Sequence, residues 1–232
     1  MRAECISHMG NDLTVVNAAR VSFDKESEWE VTGRELLSVT DREATYHDKL
    51  ELSDKDKKLI KYLAKHGHWT PFSHVMITMR ETVPIFVARQ RFKHMVGFTY
   101  NEVSRRYVDD EPEFFVPDEW RARPDGSVKQ GSGDAHKGSD DWAKIYENYC
   151  HQCLAMYNSM IKDGVAPEQA RMVLPQSMYT SYYVTGSLAA WARAYKLRID
   201  SHAQKEIQDL AKQWGEIVQP LCPVSWAALT NE

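Results

Sequence analysis

The order of strand-like and helix-like patterns along the chain limits its fold more than any other feature. The segment HVMITMRETV (74–83) is rich in β-branched residues and alternates in part, which predicts a strand. Four helices are predicted near residues 139–163, 167–174, 186–197 and 202–218. Because strands come first and helices later, we expect an α+β fold, with helices packed on a central antiparallel or mixed sheet.

Other segments are less regular. SDKDKKLIKYLAKHGH (53–68) predicts a helix with Ser53 as its N-cap. Residues 24–51 are charged and have no clear pattern, whereas residues 124–141 are rich in Gly, Ser and Asp. The whole of 109–141 is therefore expected to contain a mobile surface loop. The inward face of the first helix is predicted to be Leu59, Tyr62 and Leu63.

Charge and composition exclude several classes of function. A net charge of -4 argues against a general nucleic-acid binder, since such proteins are usually basic. No apolar run of membrane-spanning length and no signal peptide are present, which predicts a cytoplasmic protein without a membrane partner. Cys150 and Cys153 lie in a helical pattern without a second CxxC motif, which favours half-buried helix residues over a zinc or redox pair.

The segment 84–107 concentrates positive charge in this acidic chain. Pro84 suits the first position of a helix, and the sequence PIFVARQRFKH continues that helix well. Five cations fall within eighteen residues, at Arg89, Arg91, Lys93, Arg105 and Arg106. Such a cluster suits a phosphorylated ligand, because arginine binds phosphate with two hydrogen bonds. Charge alone equally allows a solvated face balanced by Asp109, Asp110 and Glu111.

Residue order decides between these two interpretations. ARQRFKHMVGFTYNEVSRRY resembles the signature of the flavin-dependent thymidylate synthases, in which a basic-His-basic triplet leads into NExSxRY. HGHWTPFSH (66–74), ARMVLPQSMYT (170–180) and LRIDSHAQKEI (197–207) are similar to three further family segments, and AARVSF (18–23) to its N-terminal strand. The resemblance covers most of the chain, and it implies one synthase domain over residues 1–232, acting as a homotetramer with shared active sites.

The resemblance implies two sets of binding residues. The expected dUMP-binding set, extended by the local cations, is Gln90, Arg91, Lys93, Glu102, Ser104, Arg105, Arg106, Arg171 and Arg198. The expected FAD-binding set is His68, Thr70, Lys93, His94, Met95, Glu102, Ser187, Arg193 and His202. At Ser187 and Arg193 the chain lacks the asparagines usual in the family.

The same resemblance implies a mechanism without an enzyme nucleophile. Reduced FAD gives a hydride to the uracil, 5,10-methylenetetrahydrofolate supplies the one-carbon unit, and NADPH reduces the flavin. Arg198 matches the arginine that polarises the uracil ring, which makes it the predicted catalytic residue. Ser201 and Gln204 fit a capping box that would place a helix N-terminus nearby. Ser104 lacks a His-Asp partner pattern, so it is assigned to nucleotide binding.

The chain departs from the family at the basic triplet. Met95 stands where the family has a second arginine, which removes a cation from the expected FAD pyrophosphate site. Arg91 or Arg105 is expected to replace it. We therefore predict that Arg91→Ala or Arg105→Ala weakens FAD retention.

Two other functions remain open from the sequence. His66, His68 and His74 could bind a metal in a hydrolase, although no carboxylate stands at suitable spacing and we predict no metal site. A nucleotide- or RNA-binding module could instead use the basic helix with its aromatic neighbours. Those neighbours are Phe92, Phe98, Tyr100 and Tyr107.

Overall fold

A four-stranded antiparallel sheet lies at the centre of the computed structural model, which describes residues 1–39, 44–107, 110–124 and 131–231. In chain order the elements are β1 (Arg2–Met9), α1 (Asp12–Arg20), β2 (Glu30–Val39), β3 (Ala44–Glu51), α2 (Asp54–Lys65), β4 (Met76–Pro84), α3 (Ile85–Arg91), β5 (Phe98–Glu102), α4 (Ser139–Lys162), α5 (Pro167–Ala170), β6 (Tyr179–Ser187), α6 (Leu188–Arg198), α7 (Lys205–Val218) and α8 (Pro223–Thr230). The predicted α+β fold is confirmed.

The sheet has the strand order β1-β4-β6-β5. The two central strands pair over their full length, from Met76 opposite Ser187 to Pro84 opposite Tyr179. The strand predicted at 74–83 is therefore confirmed. Alternate residues of β4 are buried beneath the helices, as period-two alternation requires.

The main core lies between this sheet and helices α6 and α7. Trp191 and Trp214 pack edge to face with their ring centroids 5.6 Å apart. The Trp191 indole also donates a hydrogen bond to the Ile77 carbonyl at 3.2 Å, which joins α6 to β4. These contacts pack the N-terminal half of α6 and the C-terminal half of α7 into the core.

Helix α2 begins as predicted, because the Ser53 hydroxyl accepts a hydrogen bond from the Asp56 amide at 3.2 Å. Its buried face differs slightly from the prediction. Ile60 and Leu63 are buried, whereas Tyr62 is 54% exposed and the prediction that it points inward was wrong.

Three segments differ from the sequence predictions. Residues 18–23 form the end of α1 and a 3₁₀ turn instead of a strand, because Asn11 makes a capping box that starts a helix. Strand β6 follows α4 and α5, so the strands do not all precede the helices. The unassigned residues 24–51 contain the whole of β2 and β3, which form a separate two-stranded antiparallel sheet.

The loop predicted at 109–141 is only partly within the described residues, since 109 and 125–130 lie outside them. Its mobility stays a prediction. The described flanks carry two bridges, Phe114 with Met178 and Arg121 with Ala135. Helix α4 then begins at Ser139.

Cys150 and Cys153 are both buried in α4, which agrees with their predicted position on a helix. Across the described ranges, no helix is long and apolar enough to cross a membrane.

Candidate functional site

Some of the predicted ligand-binding residues line two separate cavities, whereas Arg91, Lys93, Arg106, His68, Thr70, His94, Met95, Ser187 and Arg193 line neither. The first, here called the Arg198 cavity, has a volume of about 670 Å³ and is lined by residues that include Gln90, Arg121, Lys196, Arg198, His202 and Gln204. The second, the Arg171 cavity, has a volume of about 840 Å³ and is lined by residues that include Arg89, Glu102, Ser104, Arg105, Arg171 and Thr180. No described residue lines both cavities.

The Arg171 cavity is built where β5 leaves the sheet. Antiparallel pairing of β5 with β6 brings Glu102 beside Thr180, whose hydroxyl donates to the Glu102 carboxylate at 2.7 Å. The turn after β5 folds Ser104 so that its hydroxyl accepts from the Arg106 amide at 3.3 Å. A carboxylate, a hydroxyl and several guanidinium groups thus share one wall, which suits a phosphorylated ligand with hydrogen-bonding groups.

Arg171 reaches this cavity from a different element. It opens the 3₁₀ turn after α5, where its Nε donates to the Glu168 carbonyl at 3.3 Å. Arg89 reaches the same cavity from α3, and it was counted in the sequence only as part of the basic cluster. Arg80 lies on β4 and was not predicted, because a lone arginine in a strand gives no signal of its neighbours.

The Arg198 cavity lies at the end of α6. Arg198 Nε donates a hydrogen bond to His94 Nε2 at 2.8 Å, so the sequence-predicted catalytic arginine and a flavin-set histidine are in direct contact. Gln90 and Gln204 are hydrogen-bonded across the same cavity. His202 lies at its edge, where its ring is 2.9 Å from the Asp200 carboxylate.

His94 is uncharged near neutral pH. Burial, together with the positive charges of Arg198, Arg91 and Arg193, lowers its pKa to about 4. Since Arg198 donates to Nε2, the ring proton must lie on Nδ1. Burial and Arg91 also lower the pKa of the Arg198 guanidinium from its ordinary 12.5, although it remains a cation at neutral pH.

The segment after α3 is held tightly against α6. Gly97 has φ of +80°, and a Cβ there would lie 2.9 Å from the Ala190 Cβ, so only glycine fits this close approach. Arg193 donates to the Val96 carbonyl from the next turn of α6. These contacts leave Met95 and Val96 each 73% exposed.

Of the predicted FAD residues, Glu102 lines the Arg171 cavity and His202 lines the Arg198 cavity. Lys93, Met95 and Arg193 are exposed, so their side chains are accessible to a ligand. His68 and Thr70 are exposed after α2. Ser187 is different, because its hydroxyl caps α6 by accepting from the Ala190 amide at 3.3 Å.

Arg91 does not have the position that the sequence predicts. Its side chain is fully buried, and its Nε lies 3.2 Å from both Glu81 carboxylate oxygens. A buried guanidinium already paired with a carboxylate is not available to a phosphate. We therefore correct its assignment as a ligand-binding residue.

Two smaller corrections concern helix ends. Helix α7 begins at Lys205 with Gln204 as its N-cap residue, so Ser201 lies in the preceding turn and makes no capping box. Pro84 is the N-cap of α3 and also the last residue of β4, one position earlier than expected. His94 lies beyond the end of α3, and its position follows from the turn rather than from helical periodicity.

The rival functions find little support in the site. Phe92, Phe98 and Tyr100 pack against one another and against the core, which leaves Tyr107 as the exposed ring, at 76%, among the four predicted for RNA stacking. In the described ranges no group of three or more His, Cys, Asp or Glu side chains could hold a metal ion, and this includes the three histidines of 66–74.

Comparison with known proteins decides the family. A family model described as thymidylate synthase complementing protein matches residues 4–224. The chain belongs to this family. One similar protein is a flavin-dependent thymidylate synthase of Thermosipho africanus, which is 36% identical to this chain over 228 residues. The aligned residues cover 96% of this chain and 88% of that relative.

Two further relatives extend the likeness. A flavin-dependent thymidylate synthase of Thermus thermophilus is 34% identical over 223 residues, covering 96% of this chain and 73% of the relative. Among solved structures, a UMP/dUMP methylase of Streptomyces cacaoi bound with 5-Br UMP superposes with a TM-score of 0.80 at 26% identity. That superposition covers 99% of this chain and 93% of the methylase.

Proposed function

We propose that this chain is a flavin-dependent thymidylate synthase that converts dUMP to dTMP. In this proposal 5,10-methylenetetrahydrofolate is the one-carbon donor and NADPH is the reductant, acting through FAD. The Arg198–His94 hydrogen bond carries the proposal on the structural side, because it fixes a cation inside a cavity lined by amide side chains. The named relatives support the same activity.

The Arg171 cavity is the proposed phosphate and sugar site for dUMP. Arg171 and Arg105 provide cations, the Ser104 region provides a hydroxyl and turn amides, and Glu102 is oriented by Thr180. Charge-assisted hydrogen bonds to phosphate contribute roughly 1.5–3 kcal/mol each. Lys93 and Arg106 are exposed, although neither lines the Arg171 cavity, and we keep both in the proposed nucleotide set.

The Arg198 cavity is the proposed site of the uracil ring. A fixed guanidinium beside a pyrimidine carbonyl stabilises negative charge that develops on the ring, and it needs no reorganisation when its own position is already held by a hydrogen bond. Gln90 and Gln204 can then exchange their mutual hydrogen bond for bonds to the base.

His68, Thr70, Lys93, His94, Met95, Glu102, Ser187, Arg193 and His202 are the proposed FAD contacts. When bound, FAD would supply the hydride that reductive methylation requires. The chain's own residues orient the uracil and hold charge. We retain Arg105 as the cation that compensates for Met95, and Arg91 leaves that role because it is buried.

The two separate cavities support a proposed assembly of several copies. One dUMP molecule must meet both residue sets, yet no described residue of a single chain lines both cavities. We propose that the Arg198 cavity of one subunit faces the Arg171 cavity of another within a homotetramer. The cytoplasmic location stays a prediction from the sequence.

The proposed chemistry does not use an enzyme nucleophile. None of the four cysteines lines either cavity, and Cys150, Cys153 and Cys222 are buried. Burial, with the nearby Asp12, raises the pKa of Cys222 to about 12, and burial also raises the pKa of Cys150. A thiol with a raised pKa is a poor nucleophile.

Omission assays test this function. We expect the purified protein to retain FAD and to form dTMP from dUMP only when methylenetetrahydrofolate, NADPH and flavin are all present. UMP is the matched comparison, since the methylase of known structure is named for both nucleotides. A protein that takes up no flavin and forms no product from either nucleotide would overturn the proposal.

A further inference from the structure

A buried ion pair lies next to the Arg198–His94 contact. Glu81 on β4 and Arg91 on α3 are both completely buried, and Arg91 Nε lies 3.2 Å from each carboxylate oxygen. The Tyr182 hydroxyl donates to the same carboxylate at 2.6 Å. Burying two charges is costly unless their hydrogen bonds are satisfied, so a pair at this position calls for a reason other than stability.

Aromatic rings enclose the Arg91 guanidinium. Its Cζ atom lies 4.3 Å from the ring centroid of Phe98, 4.7 Å from that of Trp214 and 4.8 Å from that of Trp191. These faces attract a cation, yet they leave its Nη2 without a hydrogen-bond partner. In such apolar surroundings a positive charge acts strongly on its neighbours, because little water screens it.

A short chain of hydrogen bonds leads from this cation to His94. Arg91 Nη1 donates to the Tyr100 hydroxyl at 2.6 Å, and that hydroxyl donates in turn to the His94 carbonyl at 2.6 Å. The His94 ring accepts from Arg198 at 2.8 Å. The main chain of His94 is therefore tied to the ion pair, and its side chain to Arg198.

We propose that Arg91, held by Glu81, is a positioning residue for the reaction, which ties His94 in place through Tyr100 so that the His94 imidazole stays aligned as the acceptor of the Arg198 hydrogen bond. This inference rests on the proposed role of Arg198 at the uracil. A protonated imidazole would have no free lone pair for Arg198, so the guanidinium would lose its orientation.

The charges around His94 agree with this role. Burial and three cations act on it: Arg198 and Arg193 from α6, and Arg91 from α3. Together they lower the pKa of His94 to about 4. Tyr100 on β5 contributes its hydroxyl to the His94 carbonyl, and Glu81 acts through its bond to Arg91. Removal of the Arg91 charge should therefore let His94 protonate at higher pH.

Four variants test the inference, with Arg20→Met as the control, because Arg20 and Asp56 form an ion pair of low exposure that does not act on His94. Arg91→Met removes the cation. The double variant Glu81→Met, Arg91→Met removes both charges. It leaves no unpaired buried charge, so it replaces the single variant in both measurements if Arg91→Met does not fold. Arg91→Lys and Glu81→Gln keep a cation at position 91.

The first readout is the titration of the His94 imidazole by NMR, assigned by comparison with His94→Gln. We expect the pKa of His94 to rise by roughly one unit in Arg91→Met and in the double variant. It should not rise in Arg91→Lys, Glu81→Gln or Arg20→Met. Because this readout needs no turnover, it decides the charge effect even if the proposed activity is wrong. An unchanged titration in Arg91→Met and the double variant would overturn the inference.

The second readout is the pH dependence of kcat for dTMP formation. In Arg91→Met we expect kcat at neutral pH to fall roughly tenfold or more with little change in KM for dUMP, because loss of the link through Tyr100 disturbs the alignment of His94 and Arg198 while the imidazole is still uncharged. The acidic limb of the profile should move to higher pH together with the His94 titration. A purely structural role would lower stability without moving this limb, and that result would contradict the inference.

Discussion

Single residues in the two cavities have different exposures and therefore different expected roles. Arg171 is exposed, and its Nε donates to the Glu168 carbonyl, so its terminal guanidinium nitrogens are accessible to a ligand. Arg198 is half-buried and already oriented by His94. The first arrangement suits binding of a ground-state phosphate, and the second suits stabilisation of charge during reaction.

We expect Arg171→Ala to raise the KM for dUMP roughly tenfold or more, with a smaller effect on kcat, because it removes charge-assisted bonds to phosphate. Arg171→Lys should recover part of the loss, since it restores the charge without the two-pronged geometry. Steady-state kinetics measure both, and Arg2→Ala is an exposed arginine control outside the cavities. A KM unchanged in Arg171→Ala would remove this residue from the site.

The structure separates two substitutions that the sequence grouped together. Arg91→Ala leaves the Glu81 carboxylate buried without its partner, and breaking a buried pair costs about 3–5 kcal/mol. We expect a large loss in urea stability from Arg91→Ala. Arg105→Ala should instead weaken FAD retention on gel filtration while the urea midpoint stays near that of the wild type. Equal losses of stability in both variants would contradict this separation.

At the level of elements, two buried carboxylates, Asp12 and Asp56, connect neighbouring helices. The Asp12 carboxylate accepts from the Val224 and Ser225 amides at 2.9 and 2.8 Å, so the first turn of α1 caps the N-terminus of α8. Asp56, in the first turn of α2, accepts from Arg20 and Ser27. These bonds join α1, α2 and α8 into one layer beside the sheet.

We expect Asp12→Ala to destabilise the protein by about 1 kcal/mol or somewhat more, because two amides of α8 lose their acceptor. Asp12→Asn keeps one acceptor oxygen and should lose less. Urea unfolding followed by circular dichroism measures both free energies. Equal stability of Asp12→Ala and the wild type would show that solvent or the α8 backbone replaces this cap.

Asp56 should contribute to the pH dependence of stability. Burial opposes its ionisation, but the hydrogen bonds from Arg20, Ser53 and Ser27 outweigh burial and lower its pKa below the ordinary 3.8. The stabilisation is therefore complete above pH 3.8 and is lost as the pH falls below that value. In Asp56→Asn the decline of the urea midpoint on acidification below about pH 4 should be shallower than in the wild type. Parallel declines would contradict this contribution.

The sequence predicted the elements whose signals are local. Ser53 predicts the start of α2, and the alternation of residues 74–83 predicts β4, because capping and periodicity depend on residues that are close in sequence. The burial of Arg91 could not be predicted, because its partner Glu81 and its ring contacts Trp191 and Trp214 come together only in the folded chain. Arg121 reaches the Arg198 cavity for the same reason, through the bridge to Ala135 and an ion pair with Glu206.

At the level of the whole molecule, the two separate cavities bear on the proposed sharing of active sites between subunits. If each site combines the Arg198 cavity of one subunit with the Arg171 cavity of another, two inactive variants can complement each other. Arg198→Ala and Arg171→Ala damage different halves of the site.

We expect mixtures of Arg198→Ala and Arg171→Ala subunits, refolded together, to recover roughly a quarter of wild-type activity, because random pairing leaves some sites with both intact halves. Each variant refolded alone is the control. Failure of well-assembled mixtures to exceed the two controls would place both halves of the site within one subunit.

The absence of an enzyme nucleophile is the central claim about the chemistry, and a single-turnover experiment tests it most directly. Enzyme with bound FAD is reduced, mixed with dUMP and methylenetetrahydrofolate without NADPH, and quenched at intervals for product analysis and intact-protein mass spectrometry. We predict that dTMP forms up to one equivalent per flavin, while the protein mass never increases by that of a nucleotide. A nucleotide adduct on a cysteine or on Ser104 that forms and decays as dTMP appears would contradict the account, as would dTMP formation by flavin-free protein.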